Sequence, residues 1–316
     1  MNVLEVDKLA VSLGTMPIVR GISFSLPRGG TLGLVGESGS GKSMTALALM
    51  QLLPAAARMD GAIRLNGEDI LNAGEARLCA LRGDRMAMIF QEPMTSLNPV
   101  HTIGDQIAEP LLVHGKQDPA SARRTAMTLL SRVGIADATR LSSYPHQLSG
   151  GQRQRAMIAM ALACRPDLLI ADEPTSALDV TVQAQIIDLL RELADETGMT
   201  LLIISHDLGV IGRIAERVMV MYGGAVMEEG PTESVFAARL HPYTQALFAA
   251  LPSRGARKGR RLAAVPGTVP PPNALPPGCP FYGRCPRGQE VCRDNPPPRV
   301  QEGGSTAYCF YPGRDV

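Results

Sequence analysis

The sequence predicts an α/β fold built on a parallel sheet, and three stretches carry that prediction. Residues 30–35 (GTLGLV) form a short apolar run before a glycine-rich turn, and residues 44–53 are an Ala- and Leu-rich helical stretch ending at Pro54. Residues 168–171 (LLIA) and 200–204 (TLLII) are continuous apolar runs, the pattern of strands covered on both faces. A helical pattern over 180–194, stopped near Gly198, joins them.

The rest of the chain departs from this alternation. From about residue 92 to 164 the pattern is helical, rich in Ala, Met and Arg and without a strand, which predicts a helical insert. After Pro252 a basic stretch (Arg254, Arg257, Lys258, Arg260, Arg261) leads into a Pro-dense tail holding four of the 6 cysteines. Such a tail is expected not to continue the α/β layer. At 316 residues there is room for one sizeable α/β domain and an appendage. A net charge of +1 excludes steering by a global field toward nucleic acid or an anionic membrane. No apolar run approaches the roughly 18 residues of a membrane span. The start, MNVLEVDKLA, has no secretory pattern, so the chain is expected to stay in the cytosol. With no Trp and 15 Met, the core is expected to be Leu, Ile, Val, Ala and Met.

Between the first strand and helix, Gly36, Glu37, Ser38, Gly39, Ser40, Gly41, Lys42 and Ser43 spell GESGSGKS, which fits G-x-x-x-x-G-K-[ST]. Glycines let backbone N–H groups wrap phosphates, Lys42 can reach β and γ oxygens, and the Ser43 hydroxyl can ligate Mg²⁺. A solvent-facing Gly-rich turn is the bland alternative, and the strand before and helix after argue against it. Asp172 and Glu173 follow LLIA at the carboxyl end of a strand. Alone they would read as a solvated helix start; beside a phosphate loop they suit chemistry, Asp172 for Mg²⁺ and Glu173 for polarising an attacking water.

Residues 148–152 read LSGGQ and residues 171–174 ADEP; with the phosphate loop, these make the chain resemble the ABC ATPase family. Gln91 in FQEP resembles the family's Q-loop, Ser176 to Asp179 (SALD) its D-loop, and His206 in ISHD its switch histidine, over about residues 3–230. The resemblance implies a P-loop NTPase (RecA-like) core at 1–91 and 166–252, a helical subdomain at 92–165 and a C-terminal extension at 253–316. It also implies ATP and Mg²⁺, with Gln91 near the metal and His206 on the γ-phosphate. LSGGQ opens a helical pattern over 152–163, so Ser149, Gly150, Gly151 and Gln152 can present donors to an anion. In the family that anion is the γ-phosphate on the partner's loop, so this chain would be half of a two-cassette engine, with Asp179 at the same junction. One departure stands out: Leu13 occupies the position where the family places an aromatic ring on adenine, which implies weaker discrimination among purine nucleotides.

FQEPMTSLNP, YPHQLSGGQRQR, DVTVQAQI, HPYTQAL (241–247) and CPFYGRCP are similar to the subfamily that powers uptake of dipeptides, oligopeptides and, in some members, nickel. That resemblance implies two membrane-spanning permeases, a second homologous or identical ATPase, an extracytoplasmic binding protein, and a place on the cytoplasmic face of the plasma membrane. The alternative is a non-transport ABC ATPase acting on nucleic acid or another soluble complex. Against it stand the short separation of the phosphate loop from LSGGQ, the absence of heptads and the neutral charge. A purely regulatory module would be expected to lack Glu173 or His206.

Cys279, Cys285, Cys292 and Cys309 follow a C-x5-C-x6-C-x16-C spacing in a segment too poor in apolar residues to fold alone. A reducing cytosol argues against disulfides, leaving tetrathiolate zinc or an iron-sulfur cluster, and the spacing does not decide between them. The resemblance implies a [4Fe-4S] cluster of structural rather than redox role, with zinc or no metal as the alternatives. Cys79 and Cys164 read as ordinary buried thiols.

Overall fold

In a computed structural model describing residues 1–92, 96–176, 178–251, 265 and 267–313, the apolar runs become neighbouring parallel strands. The elements, in chain order, begin with β1 (Asn2–Leu13), β2 (Met16–Pro27), β3 (Thr31–Val35), α1 (Lys42–Leu49), β4 (Ala57–Leu65), β5 (Glu68–Asp69), α2 (Glu75–Leu81) and β6 (Met86–Ile89). Then come α3 (Ile103–Val113), α4 (Pro119–Arg132), α5 (Gly150–Ala161), β7 (Leu168–Asp172), α6 (Val180–Thr197), β8 (Thr200–Ser205), α7 (Leu208–Ile214) and β9 (Arg217–Tyr222). The last are β10 (Ala225–Pro231), α8 (Thr232–Ala238), α9 (Pro242–Ala249), α10 (Glu290–Asp294), β11 (Arg299–Glu302) and β12 (Ser305–Tyr308). Two units result: Met1–Glu5, Ser25–Thr31 and Ile63–Ile204 form the first; Val6–Phe24, Leu32–Ala62 and Ser205–Val316 form the second.

In the first unit β6 pairs in parallel with β7, from Met86 opposite Leu168 to Ile89 opposite Ala171, and β7 pairs in parallel with β8. Every residue of β7 and β8 is buried, which is why their apolar runs are unbroken. The helical insert holds α3, α4 and α5, packed on one another through positions at helical spacing, such as Ile103, Ile107 and Leu111 of α3 and Ala122, Ala126 and Leu130 of α4. Asp118 caps α4 by accepting from the Ala120 and Ser121 N–H groups, and Gly198, at φ 64°, closes α6.

In the second unit β3 pairs in parallel with β9, and β9 with β10 antiparallel. Helix α1 stops earlier than Pro54 requires. Gln51 takes φ 54°, its N–H donates to Ala48 O, and the Leu52 N–H donates back to Leu47 O, a Schellman ending. The tail does not behave as its composition suggests. β12 pairs antiparallel with β10, Ala307 opposite Glu228, and β11 pairs with β12, so the tail adds a hairpin to the sheet. What stands in for apolar area is a buried carboxylate. Glu228, 0% exposed, accepts from the Leu240 N–H (2.9 Å), the His241 N–H (2.9 Å) and the Ser305 hydroxyl (2.7 Å), tying β10, the start of α9 and β12 together.

Aromatic residues are scarce, yet three meet here. Tyr222, Tyr243 and Phe281 are buried, with ring centroids 4.8 to 5.2 Å apart, joining β9, α9 and the tail. The two cysteines outside the tail are not buried: Cys79 is exposed on α2, whose inward face is Leu78 and Leu81, and Cys164 is half-buried. The basic stretch 254–261 lies outside the described residues. Among the described residues no helix is long and apolar enough to cross a membrane.

Removing the Glu228 carboxylate strands three buried donors. Glu228→Ala is expected to lower the free energy of unfolding by about 3 kcal/mol in denaturant titration, with Glu228→Gln recovering part of the loss. A loss below about 1 kcal/mol would show that the hairpin docks without this carboxylate.

Candidate functional site

The loop Gly36–Ser43 runs from the buried strand β3 into α1. It lies so close to β9 that a Cβ on Gly36 would sit 2.1 Å from the Met221 carbonyl oxygen, and Gly41 enters the helix at φ 95°, so both positions require glycine. No side chain caps α1, which leaves its first backbone N–H groups facing the loop with the positive end of the helix dipole. The Lys42 side chain folds back over the loop, its Nζ donating to Gly36 O (2.9 Å), Glu37 O (2.9 Å) and Ser40 Oγ (3.2 Å). Ser40 is buried, Ser38 and Gly39 are exposed, and the half-buried Ser43 follows Lys42 on the first turn. This cradle of amides with one ammonium suits a polyphosphate. Leu13, half-buried, closes β1 in the same unit.

In the first unit Asp172 ends β7, 4% exposed and in register with Ile204. Glu173 follows in the left-handed region at φ 45°, a conformation that costs a non-glycine residue of order 1 kcal/mol. Its N–H donates to Ile204 O at 3.0 Å, and its Oε2 accepts from Gln91 Nε2 at 3.2 Å. The structure thus brings Gln91, Asp172 and Glu173 together, two oxygen donors fit for a hard cation and one carboxylate fit to accept a proton. His206, exposed in the second unit, follows β8.

The LSGGQ stretch lies at the start of α5, which begins at Gly150, two residues before the helical pattern suggests. Ser149 and Gln152 cap it reciprocally: Ser149 Oγ accepts from the Gln152 N–H (3.3 Å) and Gln152 Oε1 accepts from the Ser149 N–H (3.0 Å). Ser149 and Gly150 are exposed, while a Cβ on Gly151 would press Val182 at 3.1 Å. Asp179 has a plainer task here, capping α6 by accepting from the Thr181 (3.1 Å) and Val182 (3.0 Å) N–H groups.

Cys279, Cys285, Cys292 and Cys309 line one cavity with His241, Arg287 and Tyr311. None is in a disulfide. Burial pushes the Cys279 thiol up to about 12 and Cys309 up to about 11, and Cys285 is raised by the same cause. In each of these three the thiol also accepts the N–H two residues on, from Phe281, Arg287 and Tyr311, which favours the thiolate. Buried thiols that repel one another as anions, yet are supplied with donors, suit a positively charged occupant. Among the described residues, no group of three or more His, Cys, Asp or Glu could hold a metal ion as placed. A tetrahedral zinc would need the sulfurs drawn closer, at bonds of about 2.3 Å each.

Two residues beside the loop escape motif reading. Tyr243, in HPYTQAL, has an Oη that accepts from the Glu37 N–H at 2.8 Å, and Arg284, in CPFYGRCP, pairs with the Glu37 carboxylate at 2.7 Å. Only the strings themselves could have drawn attention to them.

The family model described as ABC transporter matches residues 19–176, and that described as oligopeptide/dipeptide transporter, C-terminal region, matches residues 227–292. The oligopeptide transport ATP-binding protein AppD of Bacillus subtilis (strain 168) is 47% identical over 93% of this chain and 91% of its own length. The dipeptide transport ATP-binding protein DppD of Escherichia coli (strain K12) is 48% identical over 100% of this chain and 98% of its own. Among solved structures, the dimeric post-hydrolysis state of the ATP-binding cassette MJ0796 bound to ADP and Pi is 27% identical, with a TM-score of 0.65 over 72% of this chain and 98% of that one.

Lys42→Ala is expected to raise the dissociation constant for ATP at least about tenfold, because the amide cradle loses its ammonium. Titration of the variant by calorimetry checks this, and an unchanged constant would remove the loop from nucleotide binding.

Proposed function

We infer, for a chain that belongs to the ABC transporter family of ATPases, that it is the ATP-hydrolysing subunit of an importer of di- and oligopeptides. The observation that carries the hydrolytic part is the uncapped, glycine-held loop over Lys42. The oligopeptide/dipeptide C-terminal region and the peptide-transport relatives support the cargo class.

ATP would lie with its phosphates on the amides of Gly36–Ser43 and under Lys42, with Leu13 packed on the base. Ser43, Asp172 and Gln91 are the residues that would hold Mg²⁺, which when bound draws charge from the β and γ oxygens. Glu173 takes the proton of the attacking water, and His206 donates to the γ-phosphate. Ser149, Gly150, Gly151 and Gln152 serve the partner's nucleotide rather than this chain's own, with Asp179 shaping that junction through its helix cap. The site is then complete only in a pair of ATPase subunits, and nucleotide acts as the cement. The core at 1–91 and 166–252 carries the loop and the carboxylates, the insert at 92–165 the second phosphate contact, and the extension at 253–316 the cysteines.

The pair would sit on the cytoplasmic face of the plasma membrane beneath two permeases fed by an extracytoplasmic binding protein. Nothing in the near-neutral charge favours nucleic acid as a partner. The four-cysteine cavity is read as the seat of a [4Fe-4S] cluster with a structural role. Three N–H···S contacts and buried, unbridged thiols support it, and a multinuclear cluster tolerates wider sulfur spacing than one zinc ion. Cys279, Cys285, Cys292 and Cys309 would hold the cluster, which when bound supplies the cross-link that the apolar-poor tail lacks.

Anaerobic purification from native membranes in mild detergent tests the assembly: two permeases, a second ATPase and a peptide-binding protein are expected in stoichiometric yield, with iron and acid-labile sulfide in the chain. Soluble or nucleic-acid-processing companions would overturn transport, and zinc without iron would overturn the cluster. Glu173→Gln is expected to keep ATP affinity within about twofold, reduce kcat by at least about 100-fold and accumulate ATP-bound dimers. Normal turnover by that variant would take the proton-accepting role away from Glu173.

A further inference from the structure

One side chain carries the tail onto the phosphate loop. The Arg284 side chain is 6% exposed and grips Glu37 with two prongs, Nη1 to Oε2 at 2.7 Å and Nη2 to Oε1 at 3.1 Å. The same guanidinium donates to Val265 O (3.1 Å), Gly267 O (3.3 Å) and Tyr222 Oη (3.3 Å), so its place is fixed from several sides. Around it the tail is seated on the loop's own supports. Arg20 donates to Pro272 O and Pro276 O at 3.3 Å, and a Cβ on Gly223 would strike Leu275 at 2.8 Å and Pro280 at 2.9 Å. Gly224, the next residue, donates its N–H to Ser40 O at 3.1 Å.

Glu37 puts a carboxylate into a loop that must receive a polyanion. Unpaired, it would repel the triphosphate and compete for Lys42 and the loop amides. Paired to a near-buried guanidinium, with its own N–H held by Tyr243 Oη, it becomes a neutral, oriented strut. We propose that Arg284 is a positioning residue of the phosphate loop, acting through Glu37 to set ATP affinity and making that affinity depend on how the cysteine-bearing tail is seated. The proposal rests on the reading of Gly36–Ser43 as the ATP site.

The test uses the full chain and ATP itself, with binding by calorimetry and steady-state hydrolysis side by side. Arg284→Met is expected to raise the ATP dissociation constant and KM about tenfold while kcat at saturation stays within about twofold, because the residues that act on the γ-phosphate are untouched. Arg284→Lys, which keeps the charge and loses one prong, is expected to recover about half of that loss on a logarithmic scale. Glu37→Gln in the Arg284→Met background is expected to bind ATP no more weakly than Arg284→Met alone, since both substitutions act on one contact. A native thermal melt with unchanged ATP affinity in Arg284→Met would reduce the pair to a fold contact and overturn the proposal, as would additive losses in the double variant. If Arg284→Met does not fold, equal affinity of wild type and Arg284→Lys overturns it. Lys42→Ala is measured in parallel: retained affinity there would instead condemn the ATP-site reading itself.

Discussion

The start of α1 carries no side-chain cap, and much of the second unit follows from that constraint. α3, α4, α5 and α6 each spend a side chain on their first turn, Thr102, Asp118, Ser149 and Asp179 respectively, whereas α1, like the shorter α2, α8 and α10, has none. An uncapped start forgoes about 1 kcal/mol, so the loop before it needs other restraint. That restraint comes partly from the loop itself and partly from around it. Lys42 ties the loop's carbonyls, the Gly224 N–H holds Ser40 O, Tyr243 holds the Glu37 N–H and Arg284 holds its carboxylate. These contacts brace the loop, with the Glu37 N–H taken up by Tyr243 Oη and the Ser40 N–H by Glu37 O.

The starts of α1 and α5 are built differently. α1 starts without a side-chain cap, beside an ammonium and in buried surroundings, a combination suited to an anion. α5 is already closed by the Ser149–Gln152 box and stands exposed, so its Gly150 and Gly151 amides add only a weaker, outward field. A start of the second kind is useful where something else already holds the nucleotide. Such a division of labour is what the proposed site shared between two subunits would require.

The parts of the fold legible in the sequence are those whose cause is local. Continuous apolar runs announce β7 and β8, GESGSGKS announces its own backbone, and LSGGQ announces a helix start to within two residues. What stayed hidden depends on partners far along the chain. Gln51 closes α1 through a left-handed turn that no glycine or proline marks. The tail joins the sheet because Glu228 waits for Ser305, 77 residues away, a trade of polar for apolar stabilisation that composition alone reads backwards. The Glu37–Arg284 pair spans 247 residues and leaves no periodicity to read.

Glu173 shows how the first unit spends stability on geometry. A left-handed glutamate is tolerated only where its surroundings over-determine it, and here the Ile204 carbonyl fixes its backbone while Gln91 fixes its carboxylate. Ile204 is also the residue in register with Asp172, so one peptide of β8 sets the heights of both acidic side chains. The Asp172 carboxylate is locked inside the strand and that of Glu173 is turned off its end. A relaxed residue at 173 would continue the strand or start a helix, and would carry the carboxylate away from Gln91. The strain is therefore the device that makes two adjacent acids chemically different, and the exposed Gln91 is the handle through which a neighbour could alter that difference.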